Sequence, residues 1–311
     1  MIKQNTDSIL MIEPIAFGFN EETASNNFFQ QNDSQSAEVI QKAALAEFTA
    51  MREILEAEGV NLIVAKDTKE PHTPDSIFPN NWISFHHDAL VAKYPMYAEN
   101  RRLERRSQVL DEVLKQGYHL INVVDFSDAE KEGKFLEGTG SMVLDRVNQK
   151  SYACVSERTN PEVVELFCKA FRFKALIFEA FHNVEGKRQP IYHTNVMMSI
   201  GEKFAVICSQ AIDDINERET ILTELKTDGK EIIEISEEQM HCFAGNLLQI
   251  ENKIGEKLIV LSQRAFESLE KGQLAVLEKQ GKLLPISIPN IEKYGGGSVR
   301  CMLAEVFLPK K

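Results

Sequence analysis

GGGSVRCMLAEVFL, Gly295 to Leu308, joins three glycines to a cysteine and then to a strand-like apolar run. Glycines let the backbone take conformations closed to other residues and come close to a bound molecule. A thiol presented at such a turn, here Cys301, is well placed to act as a nucleophile. The same residues also fit a plain glycine-rich turn into a buried strand, with Cys301 packing as a small apolar side chain. What separates the two readings is the rest of the chain.

Outward from this segment, the 311 residues are enough for one large or two modest domains. A hydrophobic share of 43% and a charged share of 26% place the chain among globular rather than disordered proteins. Lys+Arg of 35 against Asp+Glu of 47 gives a net charge of -12 with no long basic run. That argues against nucleic acid and anionic membrane surfaces as partners, because both require clustered positive charge. An anionic group on a small molecule needs only one or two local arginines and stays open. No apolar run approaches the roughly 18 residues of a membrane span. MIKQNTDSILMIEP lacks the apolar segment of a secretion signal. The five cysteines show no CxxC pair or disulfide-framework spacing, so reduced thiols in a cytoplasmic setting are expected.

Strand candidates include 61–65, 119–124, 141–145, 152–156, 174–180, 203–208, 231–235, 257–262 and 302–308. Helix candidates lie at 38–58, 99–116, 161–170 and 263–280, the third opened by the cap pair Asn160-Pro161. Strand pairs separated by single helices, with no linker or low-complexity tract, point to one α/β domain over residues 1–311. That pattern alone does not choose between a doubly wound sheet and a propeller-like arrangement.

Four further kinds of segment stand out. In HTPDSIFPNNW, 72–82, two prolines stiffen a loop carrying Asp75, Asn80 and Asn81, short groups suited to a planar polar ligand or to local turn bonds. In FLEGTGSMVLD, 135–145, Glu137 precedes a glycine turn and a strand. In IYHTNVMMSIG, 191–201, a strand reading puts His193 and Asn195 on one face with Thr194 turned away, either a satisfied core histidine or a general base beside an orienting amide. Among the arginines, Arg101 and Arg102 open a helix in NRRLERR, and Arg158 in SERTN is the better placed carboxylate clamp. No HExxH, CxxC or calcium-loop pattern indicates a metal, and no dinucleotide or phosphate-loop fingerprint indicates a cofactor.

Together PDSIFPNNW, NRRLE, LEGTGSMVLDR, SERTNP, IYHTNVMMS, FAGNLL and GGGSVRCMLAE resemble the guanidino-group-modifying (pentein) superfamily. The chain is most similar there to the amidinotransferase-family branch of citrulline-utilisation hydrolases. The resemblance spans nearly the whole chain. It implies an α/β fold, a five-bladed propeller of ββαβ units about a pseudo-fivefold axis, with no cofactor and no metal. By the same resemblance Cys301 is the nucleophile, and His193 the general acid/base. Glu137 grips the terminal nitrogens and orients His193, and Arg158 with Arg101 or Arg102 binds the amino-acid end. His193 in its charged form is then expected to favour the thiolate.

Two departures bear on the substrate. Deiminases place aspartates where this chain has Asn80-Asn81, and His-x-Asp where it has His193-Thr194-Asn195. An asparagine amide can donate to a ureido oxygen, and an aspartate cannot. The expectation is therefore a small-molecule substrate, citrulline, cleaved to ornithine, ammonia and carbon dioxide through a covalent Cys301 intermediate. The alternatives are arginine deiminase, dimethylarginine dimethylaminohydrolase or amidinotransferase activity on an arginine-like substrate, or a non-catalytic propeller that only binds. The sequence leaves a homo-oligomer open, and also whether residues 20–36 form a lid over the site.

Overall fold

In the computed structural model, which describes residues 2–310, five three-stranded sheets repeat one topology, and a hairpin of Phe181–Val184 with Lys187–Pro190 stands apart. In each sheet two antiparallel strands are followed by a helical crossover to a third strand, parallel to the second. One unit runs Ile83–Phe85, Leu90–Lys93, helix Ser107–Lys115, Asn122–Asp125. The next runs Val143–Asp145, Lys150–Cys154, helix Pro161–Phe171, Lys174–Phe178. It is followed by Met198–Ile200, Phe204–Ile207, helix Ile215–Thr227, Glu231–Glu234. Then come Leu248–Glu251, Lys257–Ser262, helices Gln263–Ser268 and Lys271–Gln280, and Lys282–Ile286. The remaining unit joins distant parts of the chain: Ala304–Glu305 pairs antiparallel with Ser8–Glu13, which crosses through helix Ala37–Ala57 to Asn61–Lys66.

Local chemistry accounts for these elements. Ser36 caps helix Ala37–Ala57, whose buried Ile40, Ala44, Phe48, Met51 and Leu55 recur at helical spacing along one stripe. Asn160 accepts from the backbone amides of Glu162 and Val163 while Pro161 supplies the first turn. Strand Ser8–Glu13 is buried on both faces. Ile9 and Met11 pack with Leu248, Ile250 and Val260, whereas Leu10 and Ile12 pack with Ile83, Phe85 and Val91. Ala92 and Tyr94 share a cluster with Leu144 and Ala153, and Tyr152 shares one with Val206 and Ile259. Each unit therefore shares apolar core with the next in sequence, and the last with the first. Burying one such large side chain contributes about 1.5–3 kcal/mol.

The α/β class is as expected, with different boundaries. The helix read over 99–116 is two pieces, Glu99–Arg102 and Ser107–Lys115, because Glu104 folds back between them to receive Arg101. The strand read over 302–308 reduces to Ala304–Glu305. The sheets are separate and open among the described residues. No helix there is long and apolar enough to cross a membrane.

Candidate active site

Four short helical turns, Pro79–Asn81, Gly138–Ser141, Thr194–Met197 and Val299–Met302, each lead into the first strand of a unit. The turn Gly138–Ser141 touches those at 79–81 and 194–197, and the turn at 79–81 touches Val299–Met302. Gly140 permits the approach: a Cβ there would lie 2.4 Å from Asn81 Nδ2 and 2.8 Å from His193 Nδ1. Of the three glycines that open the C-terminal motif, only Gly296 has a left-handed backbone, φ 62°. Gly295 and Gly297 instead make room for the Phe78 ring.

His193 caps the turn Thr194–Met197, so the strand reading of this segment is corrected. Thr194 is engaged rather than turned away, bonding Ser141 O at 2.6 Å and receiving the Cys154 amide at 2.8 Å. His193 Nε2 lies 2.8 Å from Glu137 Oε2. The other Glu137 oxygen accepts from the Tyr97 amide at 3.0 Å, and Arg158 and Arg101 stand 3.6 and 3.7 Å from Oε2.

Burial acts to raise the Glu137 carboxyl, but Arg158, the His193 hydrogen bond and Arg101 outweigh it and hold the group well below the usual carboxylate range. Burial, with help from the two arginines, pushes His193 down to about 4 against the pull of Glu137. At neutral pH the pair is therefore a carboxylate and a neutral imidazole. An ionised carboxylate only accepts, so the imidazole proton sits on Nε2 and Nδ1 keeps its lone pair. The expected charged His193 is corrected on this point.

Cys301 is buried in the turn Val299–Met302. Its Sγ lies 3.6 Å from Asn195 Nδ2, 3.5 Å from Asn246 Nδ2 and 3.7 Å from Asn246 Oδ1. Three other thiols are set aside by burial, which pushes Cys154 and Cys208 up to about 12 and Cys168 to about 11.

Arg101 donates to Asn81 Oδ1 at 3.0 Å, and Asn81 Nδ2 donates to Asn80 Oδ1 at 3.1 Å. Since a guanidinium has no acceptor, this relay fixes both amide orientations. It leaves Asn80 Nδ2 a buried donor with no partner. Asp75 Oδ1 and Asn195 Oδ1 are likewise buried and unpartnered, and the other Asp75 oxygen accepts from Asn20 at 2.7 Å. Burial raises the Asp75 carboxyl in spite of Arg101 nearby. Of the two adjacent arginines, Arg101 reaches this cluster. Arg102 spends its guanidinium on the carbonyls of Met96 and Tyr97, outside this cluster.

Arg158 donates to Asn26 Oδ1 at 2.9 Å and to the Thr23 carbonyl at 3.1 Å, with its guanidinium 5.0 Å over the Tyr192 ring. Segment 20–36 thus lies against the cluster, tied further by Asn27 to Gly295 O at 3.3 Å and Gln30 to Tyr294 O at 3.1 Å. Asn20, Asn26, Glu104 and Asn246 are members of the cluster to which the sequence reading gave no role. For Asn246 the available signal was FAGNLL, a glycine turn entering a strand like the other motifs. A surface cleft of about 610 Å³ beside Arg106 is lined by none of these residues. We place the chemistry by its side chains instead. Among the described residues no cluster of His, Cys, Asp or Glu is placed to hold a metal.

Residues 13–308 match the model of the family described as N,N dimethylarginine dimethylhydrolase, eukaryotic. The chain belongs to this family. As a dimethylarginine dimethylhydrolase family member it is a hydrolase acting on C–N bonds other than peptide bonds. Its fold is that of the N-terminal domain of ArgZ, described as an arginine dihydrolase from the ornithine-ammonia cycle in cyanobacteria and solved bound to substrate. That likeness has 15% identity and a TM-score of 0.69, covering 97% of this chain and 99% of that one. AgrE with ornithine and NAD+ is similar at 16% identity and TM-score 0.72, covering 100% of this chain and 40% of that one. A dimethylarginine dimethylaminohydrolase adduct with S-methyl-L-thiocitrulline is similar at 15% identity and TM-score 0.62, covering 98% and 100%. At these identities the structures speak for the fold of the family member. No curated protein sequence matches it.

Proposed function

We propose that the chain is a cofactor-free cysteine hydrolase of C–N bonds in a ureido or guanidino amino acid, with citrulline as its preferred substrate. Citrulline and water give ornithine, ammonia and carbon dioxide. The observation that carries the reading is the buried, unpartnered donor Asn80 Nδ2, whose orientation Arg101 and Asn81 dictate. A guanidinium offers it only further donors; a ureido group offers a carbonyl oxygen. Asn195 Oδ1 and Asp75 Oδ1 are the matching acceptors for ureido N–H groups.

In this mechanism His193 Nδ1 takes the Cys301 proton, and the thiolate attacks the ureido carbon held in plane by these amides and carboxylates. The imidazolium returns the proton to the leaving nitrogen, and ammonia departs. Neutral His193 then activates water against the thiocarbamate, freeing Cys301 and a carbamate that falls to ornithine and carbon dioxide. Arg158 binds the amino-acid end, with Arg101 holding the relay.

A second reading, hydrolysis of arginine or a methylated arginine, has an observation of its own. Asp75, Glu104 and Glu137 crowd two guanidiniums, a balance that suits a cationic substrate. The ArgZ and AgrE likenesses add to it. Incubating the protein with citrulline, arginine and dimethylarginine separates the readings. Ornithine from citrulline at the highest kcat/KM supports the first. Faster turnover of arginine, whether to citrulline or directly to ornithine, overturns it. Loss of all turnover in Cys301→Ser with fold intact is required by both, and a merely binding protein would turn over nothing.

We further infer that the five units are blades of one propeller and that residues 1–311 act as a single catalytic domain, which the shared core of successive units supports. The five unpaired cysteines fit a cytoplasmic setting.

A further inference from the structure

We propose that Asn246 is a catalytic residue that holds the Cys301 thiolate through its side-chain amide, acting with Asn195. The inference rests on the nucleophile assignment above. Asn246 is buried in the turn that follows Phe243, a residue with a left-handed backbone of φ 63°. A Cβ on neighbouring Gly245 would meet Val196 O at 2.4 Å, so this turn presses directly on the backbone after Asn195.

Two main-chain groups fix the Asn246 amide. Its Oδ1 accepts from the Arg300 amide at 3.2 Å, and its Nδ2 donates to the Asn195 carbonyl at 2.9 Å. The amide cannot flip without facing donor to donor and acceptor to acceptor. In this one orientation Nδ2 stands 3.5 Å from Sγ, and Asn195 Nδ2 stands 3.6 Å from it. Both lengths fall within hydrogen bonds to sulfur.

The guanidiniums of Arg101 and Arg158 are occupied elsewhere. Arg101 forks onto Glu104, and Arg158 donates to Asn26 and Thr23. His193 is directed at Glu137. When the thiol proton passes to His193 Nδ1, the charge left on sulfur is met by two oriented N–H dipoles in a buried site, where fixed dipoles act strongly. The same donors receive the sulfur again when the thiocarbamate collapses.

The test is iodoacetamide alkylation of Cys301 in the free protein across pH, read by peptide mass spectrometry so that Cys242 is scored separately. Asn246→Asp sets an acceptor-only carboxylate against the sulfur, and Asn246→Ala removes the donor. Asn246→Ala adds no charge to a site that holds Asp75, Arg101, Glu137, Arg158, Tyr192, His193 and Arg300, so it separates loss of the donor from the field of a new carboxylate. The expected result is about tenfold slower alkylation at pH 7 in Asn246→Asp, a smaller loss in Asn246→Ala, and a reactivity profile moved to higher pH in both. With substrate, kcat falls and KM stays within about twofold. Profiles that superpose on the wild type overturn the proposal. So does faster alkylation at every pH, which marks a loosened turn rather than a lost donor. Alkylation needs no substrate, so full turnover in Cys301→Ser would sink the hydrolase reading while leaving this result to be judged by itself.

Discussion

The Nε2 of His193 lies 2.8 Å from Oε2 of Glu137, and both side chains are buried. With the carboxylate held ionised and the imidazole pushed down to about 4, the pair is a base-ready couple at neutral pH rather than an imidazolium. The acid limb of kcat/KM is therefore expected near pH 4, not near the ordinary histidine value of 6.5. A pH–rate profile of the free enzyme decides it, and a limb at 6.5 would show His193 charged. Glu137→Gln removes the group that fixes the tautomer and the carboxylate that faces Arg158, so kcat should drop about 10²–10⁴-fold.

Histidines also set the acid stability. His193 and His182 are both pushed down to about 4 by burial. Between 6.5 and 4 these histidines bind more protons in the unfolded chain than in the native state, so their contribution to unfolding free energy falls as pH drops through that window and is constant below it. His182 lies outside the site, bonded to His241 at 3.1 Å and stacked on Phe29 with ring centroids 5.6 Å apart. Urea titrations should show a shallower pH slope over this window in His182→Gln than in the wild type; parallel slopes would refute the assignment.

Asn81→Asp breaks the relay at its middle. The carboxylate still receives Arg101, but the donor that orients Asn80 is gone and negative charge enters. The citrulline-to-arginine ratio of kcat/KM should fall by about tenfold or more, on the order of 1.4 kcal/mol. An unchanged ratio would remove the role assigned to the asparagines.

Glu104 receives Arg101 at 2.9 and 3.1 Å and is itself buried. Replacing one partner of a buried ion pair leaves the other uncompensated, so Glu104→Gln should cost about 3 kcal/mol in urea unfolding. A loss under about 1 kcal/mol would mean that Asp75 and Glu137 suffice for Arg101.

Much of this site was legible in sequence because its reactive side chains sit in short turns marked by glycine, proline or asparagine. Cys301, Glu137, Asn80, Asn81, Arg158 and Asn195 all fall within one cluster. Arg101 and Arg102 were not separable, because adjacent helical residues point about 100° apart and only docking decides which faces inward. His193 resembled a strand residue because VMMS after it is strand-like, while the turn it caps is set by contacts with Ser141 and Cys154. Asn246 and Asn26 were illegible for another reason. Their partners Cys301 and Arg158 lie 55 and 132 residues away, and even the FAGNLL turn does not report which distant side chain Asn246 meets. The fivefold reuse of one topology left no residue-level repeat, since each copy needs only its own apolar spacing.

The pairing of Ala304–Glu305 with Ser8–Glu13 has a consequence for the timing of synthesis. Cys301 stands just ahead of a strand whose partner left the ribosome about 295 residues earlier. Contacts of such sequence separation form late, because a long loop must close first. A nascent chain thus carries Glu137, His193 and the asparagines well before it can mount the thiol among them. With Cys301 as the proposed nucleophile, hydrolysis is expected only once residues past 305 have emerged and docked.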